Sequence, residues 1–108
     1  MNFDVYVEHG LKDLEAMKSY MTIARKIKDI VLRHAPDAKV YVFGSVVEGR
    51  YTASSDIDVL IATSLEGEEI YRMKAKIYEE INAPIQLHVV HPTKLQWYTK
   101  FVSKLVEV

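Results

Sequence analysis

Four residues between positions 44 and 58 have types and spacing that could bind a charged ligand. Gly44 and Ser45 follow one apolar run, and Asp56 and Asp58 open the next. In an extended strand, side chains two residues apart point to the same face, so the two carboxylates should lie side by side. Like charges at that separation repel one another unless they share a cation. The spacing therefore predicts a site for a divalent ion.

The Gly-Ser pair suggests what else such an ion would contact. Mg²⁺ prefers oxygen ligands and is usually held by one or two carboxylates together with substrate phosphates. Gly44 lets a ligand approach the backbone closely. Ser45 offers a hydroxyl and N–H groups at the start of a short helix. The alternative is that these residues only cap and turn the chain, because Asp, Ser and Gly are common at strand ends.

The length of the intervening segment bears on whether the four residues meet. Ten residues, 46–55, separate Ser45 from Asp56. A parallel crossover usually needs a dozen or more residues and a helix, so an antiparallel pair is the more economical arrangement. In that arrangement the end of the first strand lies beside the start of the second. We therefore predict that the Gly-Ser pair and the two acids lie at one edge of the sheet.

The elements that would hold these residues can be predicted from the periodicity of the apolar side chains. The predictions are helices over 11–34, over 66–82 and from Pro92 through Leu105, and strands over 40–43, 59–62 and 85–90. This order indicates an α/β (α+β) fold. We expect a small mixed sheet of three to four strands flanked by helices.

Composition limits the class of protein. The chain has 108 residues, 49% apolar and 27% charged, which is typical of a globular protein. No repeat or linker interrupts it, so we expect a single domain, 1–108. No stretch approaches the ~18 apolar residues of a membrane span, and the first residues lack a secretory signal, which predicts a cytoplasmic location with no membrane contact. A net charge of -1 argues against direct nucleic-acid binding.

The segment FGSVVEGRYTASSDIDVLIA resembles the G-S-x10-D-x-D signature of the DNA polymerase β type nucleotidyltransferase superfamily, and in particular its minimal prokaryotic members. The resemblance extends over most of the chain and implies the nucleotidyltransferase fold. It also implies that Gly44 and Ser45 hold the triphosphate of a nucleotide and that Asp56 and Asp58 bind Mg²⁺. The implied reaction transfers a nucleoside monophosphate from a triphosphate, with ATP the expected substrate, to a hydroxyl group.

Two more residues are assigned to the nucleotide site. Ser55 belongs to the Ser-Asp-x-Asp pattern, and Arg50 lies inside the spacer, where its guanidinium could reach a phosphate. The alternative for Arg50 is a solvent-exposed charge, since charged side chains normally face water.

The third strand departs from the pattern of the superfamily. Active members usually carry a third acid there, facing the first two, whereas this chain has Gln86 and His88 on the matching face. We take Gln86 as the equivalent position. An amide can donate an oxygen to a metal but carries no charge and cannot act as a base. His88 could act as the general base instead, because imidazole accepts protons near neutral pH; the alternative is that it only hydrogen-bonds beside the site.

Two functions follow from this sequence. The first is a magnesium-dependent nucleotidyltransferase that modifies a macromolecule. By resemblance, its partner would be a small helical protein of the higher eukaryote and prokaryote nucleotide-binding (HEPN) class, with this chain as the antitoxin of a toxin–antitoxin pair. The second is a degenerate nucleotidyltransferase-fold protein that binds nucleotide or a partner without turnover, which Gln86 favours. An aromatic cluster near a C-terminus such as Trp97, Tyr98 and Phe101 is most often part of the core; the alternative is that its exposed members form a partner-binding surface. A homo-oligomer is a further alternative.

Overall fold

The computed structural model describes residues 3–108, with side chains from Val7 onwards. The helices are α1 (Phe3–Lys18), α2 (Tyr20–His34), α3 (Ser45–Glu48), α4 (Glu68–Glu80) and α5 (Leu95–Phe101), and a short 3-10 turn (Pro92–Lys94) precedes α5. The strands are β1 (Lys39–Phe43), β2 (Ile57–Ala62), β3 (Ile85–Val90) and β4 (Val106–Glu107). None of the helices in this part of the chain has the length and hydrophobicity needed to cross a membrane. The mixed α/β fold predicted from the sequence is confirmed.

The four strands form one sheet in the order β3-β2-β1-β4. β1 is antiparallel to both β2 and β4, whereas β2 and β3 are parallel. The antiparallel pairing predicted for the two central strands is therefore confirmed. The segment 46–55 reverses the direction of the chain, so the end of β1 lies beside the start of β2.

Two helix predictions are wrong in their bounds. The helix expected over 11–34 is two helices separated at Ser19, whose backbone leaves helical geometry (φ -103°, ψ 26°) and whose residue type favours helix ends. The helix expected to continue through Leu105 ends at Phe101, because Val102 is extended (φ -100°, ψ 122°). The chain then forms β4 and pairs with β1, so long-range hydrogen bonding overrides the local helical spacing.

The core lies between one face of the sheet and the helices α2 and α4. Its side chains without exposed surface include Ile27 and Val31 of α2, Met73 and Ile77 of α4, and Val40, Val42, Val59 and Ile61 of the central strands. Burial of each contributes roughly 1.5–3 kcal/mol of transfer free energy. Since side chains alternate along a strand, the residues between these point to the other face of the sheet, where the polar side chains lie.

Helix α5 covers part of that second face. The ring of Tyr98 meets Phe43 edge to face, with the two centroids 6.3 Å apart. Trp97 and Phe101 contact each other, with centroids 5.2 Å apart, but are 66% and 74% exposed. The aromatic cluster therefore has one member that packs on the sheet and two that remain open to solvent.

Candidate active site

The register of the β1–β2 pair places the Gly-Ser turn beside Asp58. Phe43, the last residue of β1, is paired with Asp58, the second residue of β2. Gly44 follows Phe43 and leads into α3, which begins at Ser45. The turn and the carboxylate thus meet at one edge of the sheet, as the spacing predicts.

Gly44 is in direct contact with Asp58. A Cβ atom built on Gly44 would overlap Oδ2 of Asp58. The backbone of Gly44 has φ 82° and ψ -161°, a conformation that is essentially restricted to glycine. This position consequently requires glycine for two independent reasons, its backbone conformation and the close approach of the carboxylate.

Helix α3 presents backbone donors at this turn. The carbonyl of Gly44 accepts hydrogen bonds from the N–H groups of Val47 and Glu48, so Gly44 is the N-cap residue of α3. The N–H groups of Ser45 and Val46 belong to the first turn and have no partner within the helix. Donors of this kind, together with the half-buried Ser45 hydroxyl, suit the oxygens of a phosphate group.

The two acids differ in exposure and contacts. Asp58 is half-buried, and its Oδ1 lies 3.3 Å from Nε2 of His88. Asp56 is exposed and immediately precedes the first residue of β2. The turn that leads to Asp56 is closed by Ser55, whose Oγ accepts the Thr52 N–H at 2.9 Å and whose own N–H donates to the Thr52 carbonyl at 3.1 Å.

β3 brings Gln86 beside Asp58. In the parallel β2–β3 ladder, Asp58 is paired with Gln86, so these two side chains share a face of the sheet. Gln86 is exposed, while the side chain of His88 is 27% exposed and contacts Asp58. The residue that we take as the counterpart of the third acid therefore lies next to Asp58, and the imidazole lies on the same polar face.

A ring contact in the site was not foreseen from the sequence. The centroid of Phe43 lies 5.1 Å from that of His88, with the rings inclined by 57°. Phe43 in turn packs on Tyr98. The only signal in the sequence was that Phe43 directly precedes Gly44, which does not by itself indicate that the ring would reach β3.

The donor set fits a magnesium ion that is shared with a substrate. Among residues whose side chains are described, no group of three His, Asp or Glu could hold a metal alone. Asp56 and Asp58 offer carboxylate oxygens, and Gln86 offers an amide oxygen. Because Mg²⁺ commonly combines one or two carboxylates with substrate phosphates, these residues fit a site completed by the phosphates of a nucleotide.

Arg50 makes an ion pair beside the turn. Its Nη2 lies 3.1 Å from Oε1 of Glu48, which also accepts a hydrogen bond of 3.1 Å from the Ser103 hydroxyl. The hydrogen bonds from Arg50 and Ser103 lower the pKa of Glu48 below its ordinary value. Arg50 is 68% exposed and contacts Glu48 through Nη2, so its other guanidinium N–H groups could still bind a phosphate.

A groove lies at the end of the sheet opposite the Gly-Ser turn, between α2 and α4. Its volume is about 290 Å³, and it is lined by Arg33, His34, Leu65, Glu69 and Arg72. Its two arginines already form ion pairs, Arg33 with Glu80 and Arg72 with Glu68, at 3.4 and 3.5 Å. We therefore favour the end of the sheet that carries the Gly-Ser turn as the functional site.

Comparison with known proteins identifies a family and a fold for this chain. The family model described as a nucleotidyltransferase domain matches residues 24–107. A crystal structure of a protein provisionally named a nucleotidyltransferase is 28% identical, covers 78% of this chain and 95% of its own, and has a TM-score of 0.66. A protein of Sulfolobus solfataricus with the same provisional name has the same fold, with 22% identity, coverage of 88% and 84%, and a TM-score of 0.63. No curated protein matches the sequence significantly.

Proposed function

Because this chain belongs to the nucleotidyltransferase domain family, we propose that it transfers AMP from ATP to a hydroxyl group of a macromolecular partner in a magnesium-dependent reaction. The observation that carries this proposal is the contact between the Gly44 backbone and the Asp58 carboxylate. It joins a turn suited to phosphate oxygens to an acid suited to a divalent cation.

The proposed roles follow from these contacts. Ser45 and the N–H groups that open α3 bind phosphate oxygens, and Asp56 and Asp58 would hold Mg²⁺, with Gln86 as a neutral neighbour. When bound by these residues, Mg²⁺ would supply positive charge to neutralise the attacking and leaving oxygens. The acceptor oxygen forms a bond to the α-phosphorus, the bond from that phosphorus to the pyrophosphate oxygen breaks, and pyrophosphate leaves. We assign the hydroxyl proton to His88, whose imidazole is held beside the proposed metal-binding acid Asp58 by the contact between them.

We further propose that the acceptor is a small helical protein of the HEPN class and that the modified group is a tyrosine hydroxyl. This assignment rests on the resemblance to minimal prokaryotic nucleotidyltransferases. The exposed rings of Trp97 and Phe101 are suited to such a partner, because aromatic residues are enriched at protein interfaces. In that pair, this chain would be the antitoxin.

The second candidate is a protein that binds nucleotide without turnover. Gln86 favours it, because the residue paired with Asp58 in the ladder carries no negative charge and cannot accept a proton. A carboxylate at that position would restore the third acid. The two candidates therefore differ in what they predict for wild type and for Gln86→Glu.

The experiment is incubation of the chain with ATP labelled at the α-phosphate, Mg²⁺ and HEPN-type proteins from the same genome. For the enzyme, we expect label on the partner with the wild-type chain and faster labelling with Gln86→Glu. Ser64→Glu, which adds the same charge at an exposed position after β2, at the end of the sheet opposite the Gly-Ser turn, is the matched control and should leave the rate unchanged. Labelling by Gln86→Glu alone would support the binding protein, and labelling by neither would contradict the proposed transfer.

A further inference from the structure

β3 forms an outer edge of the sheet. Within residues 3–108 its only paired neighbour is β2, along six consecutive residue pairs from Ile85 to Val90. The ladder contains no bulge, so the strand stays regular to its end. One side of β3 therefore presents backbone groups that the sheet does not use.

The hydrogen bonds at the ends of β3 identify these groups. The carbonyl of Pro84 accepts the Ile57 N–H, and that of Val90 accepts the Thr63 N–H. In a parallel ladder, alternate residues bond to the same neighbour, so the even-numbered residues of β3 bond to β2. The N–H and C=O groups of the odd-numbered residues point to the free edge; these residues are Ile85, Leu87 and Val89.

The strand lacks several of the features that normally prevent strand pairing. Its sequence, IQLHVV, contains no Lys, Asp, Glu or Pro, and three of its apolar side chains lie on the core face. Natural proteins usually protect an edge with charge, proline, a bulge or a covering segment.

We propose that β3 pairs with β3 of a second copy of this chain, antiparallel and centred on Leu87. In this register Leu87 faces itself, Ile85 faces Val89, and Gln86 faces His88 of the partner subunit. Every apolar side chain then meets an apolar one, and each amide meets an imidazole that can complement its donors and acceptors. Like charges opposite one another would destabilise such a pair, and the strand has no Asp, Glu, Lys or Arg side chain to cause this.

The dimer would change the composition of the site. Gln86 of one subunit would lie directly opposite His88 of the partner subunit. Residues in this kind of antiparallel pair do not hydrogen-bond to each other through their backbones, and their Cα atoms are about 4.5 Å apart. This step rests on the proposed function. The arrangement gives each active site a second imidazole, beside Gln86, which stands where a third acid is expected. Two copies would then complete both sites.

Disulfide trapping tests the register directly, because the chain contains no cysteine. Gln86→Cys and His88→Cys are purified separately, mixed and oxidised. We expect a covalent dimer in the mixture and little in either variant alone, since equivalent positions would be diagonal neighbours about 7–8 Å apart, beyond disulfide reach. A mixture that does not cross-link, or single variants that cross-link equally well, would overturn the proposal.

Sedimentation of the intact protein tests the association itself. Val89→Pro removes an N–H that points to the free edge, whereas Val89→Ala keeps it. Wild type and Val89→Ala should sediment as dimers and Val89→Pro as a folded monomer, with the circular dichroism of wild type. A monomeric wild type, or a Val89→Pro variant that still dimerises, would contradict the interface. Neither assay involves ATP, so failure here is distinguishable from failure of the proposed transferase function.

Discussion

Replacing Asp58 with Asn is expected to lower the rate of nucleotidyl transfer at least a thousandfold, which corresponds to about 4 kcal/mol of transition-state stabilisation. Asn keeps the size of the side chain and its contact with Gly44 but removes the charge that would hold a divalent cation. Asp58 also contacts His88 and is paired with Gln86, so the charge lies at the centre of the site. The measurement is the rate of label transfer from ATP under the conditions described above.

The control for this variant is Asp37→Asn. Asp37 is exposed and precedes β1, at the end of that strand opposite Gly44, so its loss should not change the rate. Thermal unfolding should show that both variants remain folded. Transfer that persists in the double variant Asp56→Asn, Asp58→Asn would show that these acids do not perform the chemistry.

The second large effect is expected for Gly44→Ala. The alanine methyl would overlap the Asp58 carboxylate and would force a side chain into a backbone conformation that is nearly exclusive to glycine. We expect a loss of about 3 kcal/mol in the free energy of unfolding, and loss of ATP binding in the fraction that folds. Chemical denaturation and calorimetric titration with ATP and Mg²⁺ measure the two effects.

Gly49 provides the matched control for Gly44. It also has a positive φ, 74°, but a Cβ built there would meet nothing within 4 Å. Gly49→Ala should therefore cost only about 1 kcal/mol, the strain of left-handed backbone for alanine, and should leave ATP affinity unchanged. A double-mutant cycle between Gly44→Ala and Asp58→Ala measures the overlap itself. Equal destabilisation by Gly44→Ala and Gly49→Ala would contradict the close approach.

The central hairpin could be predicted from the sequence because a few local constraints determine it. The ten residues of 46–55 are short for a crossover, and the alternation in the second strand assigns Asp58 to the face opposite the core. The structure confirms the antiparallel pair and adds the register, Phe43 with Asp58. Register depends on how side chains pack between the strands, and that information is not contained in either strand alone.

The elements that the sequence did not predict depend on distant contacts. β4 has two residues, too few to show a period, and it forms because Val106 pairs with Val42 and the Val108 N–H bonds to the Val40 carbonyl. The hydrogen bond from the Ser103 hydroxyl to Glu48 likewise joins residues that are far apart in the sequence. Neither contact has a signal within its own segment that distinguishes it from a surface loop.

The central claim is that the Gly-Ser turn and the acids of β2 together hold a metal bound to polyphosphate. Nuclear magnetic resonance with Mn²⁺ in place of Mg²⁺ tests it most directly, since Mn²⁺ accepts similar oxygen ligands and broadens the signals of nearby amides. With ATP and trace Mn²⁺, the amide signals of Gly44, Ser45 and Asp58 should broaden, and they should change much less with Mn²⁺ alone. Broadening centred on Arg33 and Arg72, or equal broadening without ATP, would contradict the account.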